Sequence, residues 1–439
     1  MKILLLKRLR KKTGHWPQLV TAVVAALAAF STYTCMYAFR KAFAAGTFED
    51  LTFLNIDYKV LLVIAQVLGY TLSKFYGIRF ISEIKGKNRG RTIIFLIAFA
   101  WISLLGFALV PAPYNIIFLF LNGFPLGMIW GLVFSYLEGR RTTEFMAAVM
   151  SVSMIFASGF VKTIGRTLII DYHVNEFWMP FVTGLIFIVP LVICVLIMEI
   201  IPPPNELDKQ SRIERVPMNA TQRRKFLLNF LPGILLTIII YTLLTIMRDV
   251  RDNFEVEIWA GLGINNSSIY THIDSLISIV VLIFMGLLIL IRNNLKAFTV
   301  IHLLIIGGCI TIGIATYLYQ QQYISPTIWM TLAGLGLYMG YLPYNAIFFE
   351  RMIASFEYKS NVGFVMYLAD AMGYLGSISV LLLKQFGDNT RSWTDFFEQG
   401  IYTVAFIGGI SAICSLIYFL RKAYRQKSHS KPELQLLYV

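Results

Sequence analysis

Charged residues are scarce in this sequence, 14% of 439 residues, where a soluble globular chain carries about a quarter. That shortage, with 57% hydrophobic residues and a mean hydropathy of +0.68, excludes an ordinary water-soluble domain and calls for lipid as the solvent. Cysteine and histidine are also few, four and five. Cys35, Cys194, Cys309 and Cys414 lie far apart inside apolar runs, which argues against a disulfide framework or a zinc site. No cluster of nucleophile, base and acid stands out, so neither an enzyme, a metal site nor a cofactor is expected. Acidic residues are the rarer sign, 24 against 38 basic ones, for a formal charge of +14. The excess sits in connecting segments rather than on one face, which points to a bilayer surface and away from nucleic acid.

What is abundant is long apolar runs, and about 20 apolar residues suffice for a helix to cross a bilayer. Twelve spans are expected, at 17–45, 58–80, 92–111, 114–137, 145–169, 178–200, 227–250, 268–291, 297–318, 327–348, 361–384 and 398–420. The first run is too long for a signal-peptide core and is retained as a helix. Lysine and arginine accumulate on one set of loops: Lys2 to Lys12, Arg79 to Arg91, Arg140 and Arg141, Lys209 to Lys225, Arg292 and Lys296, Arg351 and Lys359, and Arg421 to Lys431. Loops 111–114, 171–177 and 320–325 carry none. By the positive-inside rule both termini are cytoplasmic. A cell membrane, plasma or bacterial inner, is the expected location.

The chain also repeats itself weakly. Tyr33-Thr34 with Arg40 is echoed by Tyr241-Thr242 with Arg248, Glu138 by Glu350, and Val149-Met150 by Val365-Met366. The common spacing predicts two six-helix bundles, 17–201 and 227–420, joined by a polar linker at 202–226 and flanked by basic segments 1–16 and 421–439. The expected fold class is an all-α membrane protein, two pseudo-symmetric bundles of six helices, with a site near the midplane where the halves meet.

Short motifs give this architecture a family. Glu83-Ile84-Lys85-Gly86-Lys87 resembles the signature loop of major facilitator transporters, with Arg79 where that loop begins on glycine. Tyr37-Ala38-Phe39-Arg40-Lys41-Ala42-Phe43 and Tyr70-Thr71-Leu72-Ser73-Lys74-Phe75 resemble spans one and two of the organophosphate:phosphate antiporter branch, the glycerol-3-phosphate and hexose-6-phosphate exchangers. The resemblance implies that Arg40 and Arg248 bind the phosphoryl group, that Lys74 matches the span-two lysine, and that Glu83, Gly86 and Lys87 belong to a conformational loop. The branch's span-five histidine has no counterpart here, so the substrate class stays open between a phosphate ester and a carboxylate.

Intramembrane charge supports an anionic guest independently. Cations at mid-bilayer are costly and mark a pathway unless they snorkel. Arg40, Lys74, Lys162, Arg166 and Arg248 are the candidates, while Asp274 and Asp370 are the chief acids, as coupling groups or salt-bridge partners. A surplus of buried positive charge asks for an anion, and guanidinium grips phosphate oxygens in pairs. Tyr37 stands one turn from Arg40, and Tyr33 and Tyr241 are repeat-related tyrosines on the same helices. Lys162 and Arg166, four residues apart and with no acid in view, are expected either to widen an anion-attracting funnel or to anchor the helix near the outer surface beside Asp171. Arg251 is an alternative to Arg248. The expected protein is a monomeric transporter of a small organic anion by alternating access, with phosphate a possible exchange partner. Its rivals are a transporter-like sensor that binds without flux and a proton-coupled cation exporter, the latter disfavoured by the charge balance.

Overall fold

The computed structural model describes residue 13 and residues 15–83, 88–206, 208, 220–356, 362–387 and 391–430. Helices dominate, as hydrocarbon requires, because a helix satisfies each peptide group within its own segment. Among the described residues nine helical stretches are long and apolar enough to cross a bilayer: Gln18–Arg40, Arg89–Leu109, Ile116–Phe134, Thr143–Ile170, Met179–Ile200, Arg224–Asn253, Ile269–Ile289, Asn294–Gln320 and Trp393–Gln426. The other three expected spans fall on Tyr58–Glu83, Pro326–Pro343 and Val362–Gly387, which are helical but not among the nine. This is a multi-pass membrane protein. Met179–Ile200 illustrates why: Leu185, Ile186, Val189, Ile193 and Leu196 are exposed along it, a stripe that acyl chains cover at no cost.

Two spans are broken where proline removes a backbone donor. Pro125 lies near the end of Ile116–Leu126, and the span resumes as Ile129–Phe134. Pro343 closes Pro326–Pro343, followed by a π-turn at Tyr344–Phe348 and the short helix Phe349–Ser355. Between the first two spans lies an unanticipated hairpin, Thr52–Phe53 paired with Ile56–Asp57. Leu54 and Asn55 close it at φ 55° and 59°, the two positive values of a type I′ turn. Of the signature-like loop, Glu83 ends its helix, while Gly86 and Lys87 lie outside the described residues.

The chain gathers into two compact units. The first comprises Met1–Arg212, Val250–Ile283 and Ile378–Asp395. Its core surrounds the helix Gln18–Arg40, whose Ala22, Ala25, Ala26 and Ala29 are fully buried against Thr143–Ile170 and Met179–Ile200. Alanine suits that seam because small side chains let helix backbones approach. The second unit comprises Ile213–Asp249, Phe284–Ser377 and Phe396–Val439. There Asn294–Gln320 packs on Pro326–Pro343 through Gly308 and Gly336: a Cβ on Gly308 would stand 2.6 Å from the Gly336 carbonyl oxygen. Gly373 and Gly376 lie against Thr245 and Thr242.

Candidate functional site

Arg40 is the last residue of its helix, where carbonyls lack intrahelical partners. Two buried amides supply them. Gln66 Nε2 donates to the Arg40 carbonyl at 2.6 Å and to Asn122 Oδ1 at 2.8 Å. Asn122 Nδ2 donates to the Phe39 and Ala100 carbonyls, both at 2.9 Å. This belt anchors the helix end and so the base of the arginine side chain. The guanidinium carbon lies 3.9 Å from the centre of the Tyr70 ring and 5.8 Å from that of Tyr37. Lys74 Nζ approaches the same Tyr70 ring at 5.3 Å, and Tyr33 packs on Tyr37 at 5.6 Å. Arg40, Lys74, Tyr37 and Tyr33 are therefore neighbours around one aromatic group, and Arg40 is buried.

In the second unit Arg248 is also buried, with its guanidinium carbon 4.1 Å from the Tyr341 ring centre. It pairs with Asp249, whose second oxygen accepts from Ser377 Oγ at 2.8 Å. Tyr241 stacks on Tyr341, with ring centres 5.4 Å apart, and donates its hydroxyl to Asp370. Each repeat-related arginine thus lies on a tyrosine face, where the negative face of the ring attracts a cation.

Lys162 requires a correction. The expectation that no acid stands near it fails: its ammonium is fully buried and meets Glu255 at 2.7 Å, Asp252 at 3.2 Å and Ser158 Oγ at 2.7 Å. Asp252 also binds Lys41 at 2.6 Å and accepts from Ser158 Oγ. The seventh helix causes this by running on to Asn253 and, after Phe254, restarting as Glu255–Gly261. It thereby carries carboxylates to the ends of the first and fifth spans. Arg251 belongs to the same cluster, 2.8 Å from Asp274 and 3.4 Å from Glu255. Lys59 joins Glu257 nearby. Burial pushes the Glu257 carboxyl above its ordinary range, with Lys59 pulling the other way. Arg166 points to the Ala45 carbonyl at 3.5 Å. In this cluster Lys41, Lys162 and Arg251 face Asp252, Glu255 and Asp274, three cations to three acids. The expected surplus of positive charge is absent from it.

Residues 42–422 match the model of a family described as "Family of unknown function (DUF5690)". The chain belongs to that family. No curated protein matches it in sequence. Among solved structures this member of the family is similar to a D-xylose-proton symporter at 15% identity, over 92% of this chain and 97% of that one, with a TM-score of 0.59. A peptide transporter of the POT type, in complex with sulfate, is similar at 11% identity over 94% and 96%, TM-score 0.59. The POT family transporter PepTSo follows at 13% identity over 94% and 99%, TM-score 0.56. At such identities the likeness establishes the fold alone, one shared with these transporters.

Sequence reasoning missed Asp252, Glu255, Glu257, Lys41 and Lys59 as an ion-pair cluster, and Tyr341 as the partner of Arg248. A signal existed for the cluster. In Arg248-Asp249-Val250-Arg251-Asp252-Asn253-Phe254-Glu255, Arg251 and Glu255 are four apart on one helical face, too dense in charge to end an ordinary span.

Proposed function

We propose that this member of the family is a secondary active transporter of a small organic anion, a phosphate ester or a carboxylate, working by alternating access. The observation that carries the reading is the pair Arg40 and Arg248, equivalent in the sequence repeat, both buried and each laid on a tyrosine, in a chain with a transporter fold. A tyrosine face holds a guanidinium flat and turns its N–H edge sideways, where it can meet two oxygens of an anion; at Arg248 the anion would share that edge with Asp249. Lys74, Tyr37 and Tyr33 assist Arg40, and Tyr241 with Asp370 sets the ring on which Arg248 rests. Lys162 we assign to the ion-pair cluster rather than to the anion, because two carboxylates already neutralise it; Arg166 keeps its place as an attracting charge. Asp370 and Asp274 are the candidate coupling groups. We further propose twelve spans in two bundles of six, both termini cytoplasmic, a monomer in a plasma or bacterial inner membrane, and no cofactor.

We propose exchange as the mode, with phosphate as a possible counter-anion, since guanidinium N–H groups that hold the oxygens of one anion can hold those of another during the return. Proteoliposome counterflow with phosphate esters and carboxylates tests the reading. Arg40→Ala and Arg248→Ala should each abolish flux while the purified protein stays monodisperse. Undiminished flux in both variants would sink the assignment, and ligand binding without flux in the wild type would move the reading to a sensor.

A further inference from the structure

The last helix supplies a second cationic site, far in character from the buried arginines. Its face Cys414, Ile417, Tyr418, Arg421, Lys422 and Arg425 recurs at helical spacing and lines a cavity of 880 Å³ in the second unit, closed on the other side by Phe230 and Phe356. Three of its lining residues are cations and none is an acid. Lys422 is fixed at the rim, since its ammonium donates to the Asn229 carbonyl at 2.6 Å and to Asn229 Oδ1 at 3.0 Å and stands 4.8 Å over the Phe230 ring. Arg421 and Arg425 follow one turn apart on the same side, both exposed.

The place of this cavity along the helix matters as much as its charge. Apolar sequence ends at Leu420, so the cations begin where hydrocarbon gives way to headgroups, while Ile417 and Cys414, earlier on the same helix, continue the wall inward. Such a cavity is amphipathic along the bilayer normal, with phosphate-binding groups above and an apolar wall below. Soluble phosphate uses only the upper half.

The geometry points to a binding site for one anionic phospholipid, its phosphate held by Arg421, Lys422 and Arg425 and its first methylenes lying against Ile417 and Phe356. Basic pockets at headgroup depth attract anionic lipid through the negative surface potential and through charge-assisted hydrogen bonds. No lining residue belongs to the proposed transport site, so this inference stands apart from that reading.

Native mass spectrometry of the purified full chain with phosphatidylglycerol tests it. The variant Arg421→Gln/Lys422→Gln/Arg425→Gln should bind that lipid about a hundredfold more weakly, and Arg40→Ala/Arg248→Ala should bind it as the wild type does. A second readout puts the reporter at the cationic end of the cavity: a cysteine placed by Gln426→Cys, at an exposed lining residue, is alkylated with a water-soluble maleimide. In nanodiscs, phosphatidylglycerol should slow alkylation relative to phosphatidylcholine alone, and inorganic phosphate should not. Equal rates in both bilayers, equal protection by phosphate alone, or undiminished lipid binding by the triple variant would overturn the proposal.

Discussion

At the scale of single residues, the ion pair Lys162–Glu255 shows how a lipid-embedded core handles charge. Both side chains are fully buried, and breaking a buried pair costs about 3–5 kcal/mol when no other partner remains; here Asp252 still holds Lys162, so the cost is smaller. Glu255→Gln should therefore lower the apparent unfolding temperature in detergent. Adding Lys162→Met to it should restore part of the loss, because the ammonium that keeps only one of its two carboxylates is removed. A double variant less stable than the single would show that the two charges are not coupled. Tyr70 offers a different residue-scale test, since its ring lies under Arg40. Cation–π attraction of about 0.5–2 kcal/mol implies that Tyr70→Leu weakens anion binding by about three- to thirtyfold, whereas Tyr70→Phe leaves it near wild type. Calorimetric titration distinguishes these outcomes, and equal losses in the two variants would assign the effect to the hydroxyl.

Helices in this chain meet where side chains are smallest. Asn294–Gln320 and Pro326–Pro343 touch through Gly308 and Gly336, where a Cβ would collide with a carbonyl oxygen. Backbone cannot yield as a flexible side chain can, so Gly308→Ala should cost about 1–3 kcal/mol and reduce the monodisperse fraction after heating. Its neighbour is the control. Gly307 has nothing within 4 Å of the added carbon, and Gly307→Ala should match or exceed wild-type stability, alanine being the better helix former. Similar losses at the two positions would mean that helix propensity, not close packing, governs this seam. The amide belt acts at the same scale: Asn122→Leu deletes the donor to the Phe39 and Ala100 carbonyls and should loosen the end of the first helix, seen as faster hydrogen exchange at residues 39–43.

For the whole molecule, the proposed twelve crossings would put both termini on one side, and the basic loops would place that side in the cytoplasm. Epitope tags at the two ends should resist protease in right-side-out vesicles, while cysteines placed by Tyr172→Cys and Tyr323→Cys should react with an impermeant maleimide added outside. Tags cleaved from the outside would reverse the orientation. Much of this level was legible beforehand, since Tyr172 and Tyr323 lie in exposed turns between helices that hydropathy had already separated. The candidate site was legible only in part. Arg40 and Arg248 emerged from the repeat, and Tyr37 from its place one turn away, whereas Lys162 was misread because its acids lie 90 and 93 residues further along the chain.

That difference has a physical origin. Solvent preference is a property of each segment alone: a run such as Met179–Ile200 declares for lipid whatever surrounds it, so the membrane class and the helical state were determined by sequence by itself. Charge compensation is a property of pairs. Which carboxylate meets Lys162, which ring lies under Arg248 and which carbonyl blocks a Cβ at Gly308 were decided only by tertiary structure, because Coulomb attraction and close packing act over a few ångströms of space and are indifferent to distance along the chain.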